Sequence, residues 1–267
     1  MCGLTGILLR PGRRSPETWR KIIDIHTTSF VFNEERGREA SGLAVIQGDG
    51  QYRIFKQPVE ASDLVEMKGY QETISTIGDQ TVCILGHTRM PTKGSRWHNV
   101  NNHPIQAGNV IGVHNGMISN DDYLFSLRNM PRAGEVDSEV IFRLLNTADP
   151  LKWNGRYLSK VQREVNCLDG TFATLSVDIR YPGRLLVLKH LRPLCIHYEE
   201  DWQALFFSSR YIFLRKAFGR QVITEALDSG FGFVFDAWQL PQNGNQPVQT
   251  FEIKGGQRMT PTQEVET

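Results

Sequence analysis

The sequence lacks a strong charge of either sign, a long apolar run and closely paired cysteines. Its 267 residues carry a formal net charge of +1, which predicts no strong pull toward nucleic acid or an anionic membrane surface. The apolar stretch from Leu4 to Leu9 is too short to span a bilayer. It also lacks the charged start of a secretion signal, because Arg10, Arg13 and Arg14 follow it. A mature N-terminus near Met1 and a cytoplasmic setting are therefore expected. Cys2, Cys83, Cys167 and Cys195 form no CxxC pair, and the seven histidines form no HExxH. Neither a zinc site nor a redox switch is predicted. No GxxxxGK[ST] loop occurs, and no GxGxxG follows a strand, so nothing points to ATP or a dinucleotide. No cofactor and no metal are expected.

What is present is an ordinary globular composition, 40% hydrophobic, enough for a sizeable core. Gly3 to Leu9 reads as a strand. Ser15 before Pro16 reads as a helix start, with Trp19, Ile22, Ile23, His26 and Phe30 at helical spacing. Leu43 to Gln47 and Tyr52 to Lys56 read as strands around Gly48-Asp49-Gly50. Thr81 to Gly86 and Val110 to Val113 are apolar strands, and the Gly-, Pro- and Asn-rich stretch between them reads as a long, functional loop. Asp121 to Met130, Ser138 to Asn146 and the segment around Leu158, Val161, Val165 and Leu168 read as helices. Strands follow at Thr171 to Val177, Arg184 to Lys189, Ala204 to Ser208, Phe231 to Phe235 and Phe251 to Lys254, with a helix at Tyr211 to Phe218. Cys83 and Cys195 sit in apolar runs and read as buried thiols. Helices packed on sheets in one mixed domain are expected over 1–255, with a polar, loose tail at 256–267.

Four short features carry chemistry. Cys2 becomes N-terminal if Met1 is removed. Its α-amine, with a pKa near ~7.7, could then take the thiol proton and leave a nucleophile; a cysteine in this place by chance is the plain alternative. His114-Asn115-Gly116 is either a turn or an oxyanion hole formed by the Asn115 amide and the Gly116 N–H. Arg89 is either a surface residue or a fork for a carboxylate. Asp137 is either a helix N-cap or an acceptor for a substrate ammonium. Together, Arg89 and Asp137 would read both ends of a zwitterion.

Met1-Cys2-Gly3-Leu4-Thr5-Gly6 resembles the opening of class II glutamine amidotransferases, which are N-terminal-nucleophile hydrolases. The family includes the glutaminase halves of glucosamine-6-phosphate synthase and amidophosphoribosyltransferase. Arg36-Gly37-Arg38-Glu39-Ala40-Ser41-Gly42-Leu43-Ala44 resembles a second motif of that family. Gly86-His87-Thr88-Arg89 with Thr92 and Gly94 resembles a third. Val100-Asn101-Asn102-His103-Pro104, Val113-His114-Asn115-Gly116 and Asp137-Ser138-Glu139-Val140-Ile141 follow in order. The resemblance runs strongly from Cys2 to about Asp178 and faintly to about Lys216.

The resemblance implies an α+β fold, a four-layer αββα sandwich of two antiparallel sheets. It implies L-glutamine as substrate, attacked by Cys2 to give a γ-glutamyl thioester and ammonia. Asn115 and Gly116 would form the oxyanion hole, beside His114. Arg89 would hold the glutamine carboxylate and Asp137 its ammonium, with Thr92 and Gly94 lining the pocket. Arg36 would support the loop near Cys2. Replacing Asp137 by alanine is then expected to raise KM and spare the fold. Met90 stands where relatives carry a tryptophan or another aromatic, and Lys93 where some have histidine.

Nothing in the chain supplies an ammonia acceptor, so a protein partner carrying a synthase or ligase site is implied, with no nucleic acid and no membrane. The oligomeric state is not fixed. Two other readings stay open: a domain cut from a larger aminotransferring synthase, and a non-catalytic descendant that binds a partner or an amino acid. A hydrolase for a larger acyl amide is a third, disfavoured by the Arg89–Asp137 pair.

Overall fold

The structure, a computed structural model, describes residues 1–152 and 156–254. The expected domain end at 255 and tail at 256–267 lie outside the described residues. In chain order come β1 (Gly3–Leu9), α1 (Pro16–Phe32), β2 (Ala40–Gln47), β3 (Tyr52–Gln57), α2 (Ala61–Glu66), α3 (Lys68–Ile74) and β4 (Thr81–Arg89). Then come β5 (Ile105–Ala107), β6 (Val110–Ile118), α4 (Asp121–Leu127), α5 (Ser138–Asn146) and α6 (Arg156–Val165). The chain continues through β7 (Gly170–Asp178), β8 (Arg184–His190), β9 (Cys195–Glu199), β10 (Ala204–Ser208) and α7 (Tyr211–Phe218). Last come β11 (Glu225–Ala226), β12 (Phe231–Asp236), α8 (Leu240–Asn243) and β13 (Gln249–Glu252).

Two antiparallel sheets form the centre, in the orders β11-β9-β10-β1-β4-β2-β3 and β13-β12-β8-β7-β6-β5. Alternation along the strands explains the layers. Leu4 and Leu8 of β1 pack between the sheets with Leu85, Val113, Leu175 and Phe207. Ile7 and Leu9 face the other way, onto Ile22 and Phe30 of α1 and Leu214 of α7. The outer face of the second sheet is covered by Phe125 of α4, Val140 and Ile141 of α5 and Val161 of α6. A strand covered on both faces is apolar at nearly every position, which is why β1 reads as an apolar run broken only by Thr5, whose hydroxyl bonds Ser29. The result is the αββα sandwich.

Local chemistry sets several boundaries as the sequence predicts. Ser15 caps α1 by accepting from the Thr18 N–H at 3.1 Å, a bond worth about 1 kcal/mol. The strands differ more. β4 runs on to Arg89 and β6 on to Ile118, because β1 and β2 flank β4 and β7 pairs with β6 along its full length. The helix expected to reach Met130 ends at Leu127. The His87–Asn109 segment, expected to be mostly loop, also includes a short strand, β5, and a turn of 3₁₀ helix at Asn99–Asn101. The short α2 and α3, and β9, were not legible.

His26 on α1 is buried with an unpartnered Nε2, and its burial lowers its pKa to about 4. The unfolded chain takes up that proton near pH 6.5. Stability from this group is therefore complete above pH 6.5 and falls as the pH drops toward 4. In urea unfolding, the loss of stability between pH 7 and pH 5 should be smaller by about 2 kcal/mol in His26→Leu than in the parent. Equal losses would remove His26 as the cause.

Candidate active site

Cys2 stands one residue before β1, at the end where β1, β2 and β4 meet. Leu4 faces the space between the sheets, and period-two alternation gives that same face to Cys2 and, across the ladder, to His87 and Arg89. The half-buried thiol donates to the Met90 carbonyl (Sγ···O 3.6 Å). Arg36 Nε donates to the Cys2 carbonyl at 2.8 Å. Arg36 is delivered by Gly37, whose position against Arg89 and Met90 leaves no room for a Cβ. The next segment is pinned by the Glu39 N–H on the Arg89 carbonyl, 3.0 Å. Burial raises the thiol pKa; the N-terminal ammonium and Arg89 oppose the rise without reversing it. The sulfur is therefore a thiol at neutral pH, and a base must take its proton before it can attack.

Arg89 ends β4 almost fully buried. Its Nη1 donates to Asn102 Oδ1 at 2.8 Å, and its Nη2 to the carbonyls of Lys93 (2.7 Å) and Gly94 (2.8 Å). Asn102 is itself held, its side-chain amide donating to the Arg96 carbonyl and its backbone carbonyl accepting from Lys56 Nζ at 2.6 Å. Burial and the charge of Arg89 lower the Lys56 pKa to about 8. Lys93 ties the loop to α4 through Asp121 (2.7 Å) and Asp122 (2.9 Å). Asn101 ties it to Glu135, Nδ2···Oε2 2.8 Å. The 90–104 segment is thus a cross-braced loop wrapped around one guanidinium, which pre-pays the ordering that a carboxylate ligand would otherwise require.

Facing this loop is the open edge of β6, which has no strand neighbour beyond Gly112 on the β5 side. The His114 carbonyl accepts there from His87 Nε2 at 2.9 Å, and the Ile118 N–H donates to Asp137 Oδ2 at 2.7 Å. Period two puts the Gly116 N–H on the same edge, between these two ties. Gly116 has φ +151°, and a Cβ there would overlap the Thr171 carbonyl, so only glycine fits. The Asn115 amide nitrogen is buried without a partner. A buried donor left unpaired costs roughly 1–3 kcal/mol and points to a ligand that accepts from it. Asp137 is buried, its side chain makes no N-cap bond, and its charge acts on Cys2, Arg89 and His114.

His114 Nδ1 lies 2.8 Å from Ser138 Oγ, which locks β6 to the start of α5. Behind the site His87 and His103 stack at 4.1 Å. Burial lowers all three pKa values, that of His87 to about 3, so these imidazoles stay neutral at physiological pH.

The fold therefore gathers Cys2, Arg36, Arg89, His114, Asn115, Gly116 and Asp137 at one end of the sandwich, with the Gly94 carbonyl on Arg89. Thr92 lies exposed on the same loop. Asn115 and Gly116 stand within a strand rather than in a turn. Sequence reasoning missed Asn102 and Lys56 as supports of Arg89. Asn102 lies in the Val100–Pro104 motif, the signal that could have marked it; Lys56 had none.

No family model matches the chain. The chain is 27% identical over 212 residues to a 7-cyano-7-deazaguanine synthase of Sulfolobus acidocaldarius, covering 78% of this chain and 43% of that protein. It is 31% identical over 200 residues to a glutamine–fructose-6-phosphate aminotransferase (isomerizing) of Wigglesworthia glossinidia brevipalpis, covering 73% of this chain and 30% of the relative. The chain thus spans less than half the length of these curated relatives. The glutamine phosphoribosylpyrophosphate amidotransferase of B. subtilis superposes with a TM-score of 0.65 at 18% identity, over 88% of this chain and 47% of that one, a likeness of fold. By sequence likeness and fold together, the chain is a homologue of the glutamine amidotransferase domains, built on the class II N-terminal-nucleophile hydrolase fold.

Proposed function

We propose that the chain hydrolyses L-glutamine to glutamate and ammonia through a thioester on Cys2, after excision of Met1 in the cytoplasm. The observation that carries this reading is the convergence of a thiol, a braced guanidinium at Arg89 and a buried carboxylate at Asp137. Arg89 and Asp137 bind the α-carboxylate and α-ammonium of the amino acid, which leaves its side-chain amide for Cys2. The freed α-amine of Cys2 takes the thiol proton, sulfur adds to the amide carbon, and the oxyanion is held by the Asn115 amide and the Gly116 N–H. The tetrahedral intermediate expels ammonia, with the proton returned by the amine, and water then cleaves the thioester.

Both named relatives are much longer than their matched segments. On this reading the ammonia is used at a site outside the described residues, on a partner synthase or ligase or on further chain. The test is glutamate release from glutamine by the purified protein, alone and with candidate partners. Asn115→Ala should lower kcat roughly 10²–10³-fold with KM little changed, because the amide meets charge that develops only in the transition state. An unchanged kcat would remove Asn115 from the oxyanion hole.

A further inference from the structure

The Met1 sulfur sits between two guanidinium groups, 3.5 Å from Arg192 Nη1 and 3.9 Å from Arg36 Nη2. Both arginines are fixed from behind, Arg36 Nε on the Cys2 carbonyl at 2.8 Å and Arg192 Nε on Thr171 Oγ1 at 2.8 Å. Arg192 is presented by Leu191, an exposed non-glycine residue at φ +59°, a conformation that costs of order 1 kcal/mol or more. Arg210, which follows the end of β10, brings a third cation into electrostatic reach of Arg36.

Among the described residues, neither Arg36 nor Arg192 forms an ion pair with a carboxylate. Glu35 lies 3.9 Å from both Arg210 and Lys216 and is half-exposed, so it offsets little of the charge. A thioether is a weak acceptor for two such donors. Burial disfavours the charge on Arg36, and Arg210 and Arg192 disfavour it further. A cluster of this kind carries a repulsion that a bound anion relieves.

We propose that Arg36, Arg192 and Arg210 form a phosphate-binding site beside the N-terminal amine of Cys2, completed when Met1 leaves, and that the phosphate belongs to the molecule that receives the ammonia. The last clause rests on the glutaminase reading; the binding site does not. The Arg36 and Arg192 donors come from separate segments and meet at the Met1 sulfur, and the charge of Arg210 acts on Arg36 from a third segment. That suits a tetrahedral oxyanion better than a planar carboxylate, which a single guanidinium fork matches. On the glutaminase reading, glutamine has its own carboxylate partner in Arg89, whose guanidinium is held by Asn102, Lys93 and Gly94.

The test uses the protein with Met1 removed, so that it begins at Cys2, without glutamine, titrated with inorganic phosphate in a calorimeter. Saturable binding is expected, weakened about tenfold or more in Arg192→Ala, which loses a charge-assisted contact, and weakened also in Arg210→Ala, which loses a nearby positive charge. Thermal melting checks that each variant is folded. No saturable binding, or equal affinity in the parent and both variants, would overturn the site. Competition then separates the sources. Displacement by a sugar phosphate identifies a small acceptor, and displacement by a short oligonucleotide identifies a nucleic-acid backbone. Displacement by neither overturns the acceptor assignment. Phosphate binding without glutamate release would refute the glutaminase reading alone, and glutamate release without phosphate binding would refute this site alone.

Discussion

Replacing Cys2 by alanine should abolish glutamate release from glutamine while leaving the melting temperature close to that of the parent. The loss should be roughly 10⁴-fold or more, as for other nucleophiles that act in concert with their base. The fold should tolerate the change because the thiol makes one weak contact, 3.6 Å to the Met90 carbonyl, whereas the backbone of Cys2 is what Arg36 grips. The same experiment tests the base. Burial keeps the thiol protonated, and the neighbouring imidazoles His87, His103 and His114 are all pushed toward low pKa values. The α-amine freed by loss of Met1 is the remaining candidate, with an ordinary pKa near ~7.7. Mass spectrometry of active protein should show a chain starting at Cys2. Full activity with Met1 retained would exclude the amine as the base.

Asp137 should separate binding from structure when two substitutions are compared. In Asp137→Asn a side-chain oxygen can still accept from the Ile118 N–H, as Oδ2 does at 2.7 Å, but the negative charge is gone. KM for glutamine should rise about 10- to 100-fold, the worth of one hydrogen bond to a charged group, with stability nearly unchanged. In Asp137→Ala the buried Ile118 N–H loses its partner as well, which should cost roughly 1–3 kcal/mol of stability. That hydrogen bond changes the expectation from sequence that alanine would spare the fold. Urea unfolding and glutamine kinetics on both variants check it. Unchanged KM in Asp137→Asn would remove the ammonium-binding role, whatever the alanine variant does.

The strands and helices that make the layers were largely legible, because their periodicity is local. The nearly continuous apolar run of β1 marks a strand covered on both faces, and the Ser15-Pro16 start of α1 is a short-range signal. The short α2, α3 and β9 were not, since a turn or two of helix or a five-residue strand gives too little pattern to set it apart. The extension of β6 through His114-Asn115-Gly116 was missed for a related reason. Asn-Gly favours a turn by local propensity, and only pairing with β7 overrides it.

What the sequence determined by itself is therefore the inventory: a cysteine after Met1, an arginine and an aspartate suited to a zwitterion, and an Asn-Gly pair. Each owes its meaning to residue type and order, which a linear chain displays. Tertiary structure decided what each group is attached to. Arg36 reaches the Cys2 carbonyl across 34 residues, and Asn102 braces Arg89 across 13. Arg192 approaches Met1 across 191. Contacts at such separations leave no periodic trace, because they depend on how the two sheets stack and where their strands end. The same stacking buries the Asn115 amide without a partner, which is the donor the proposed mechanism assigns to the oxyanion.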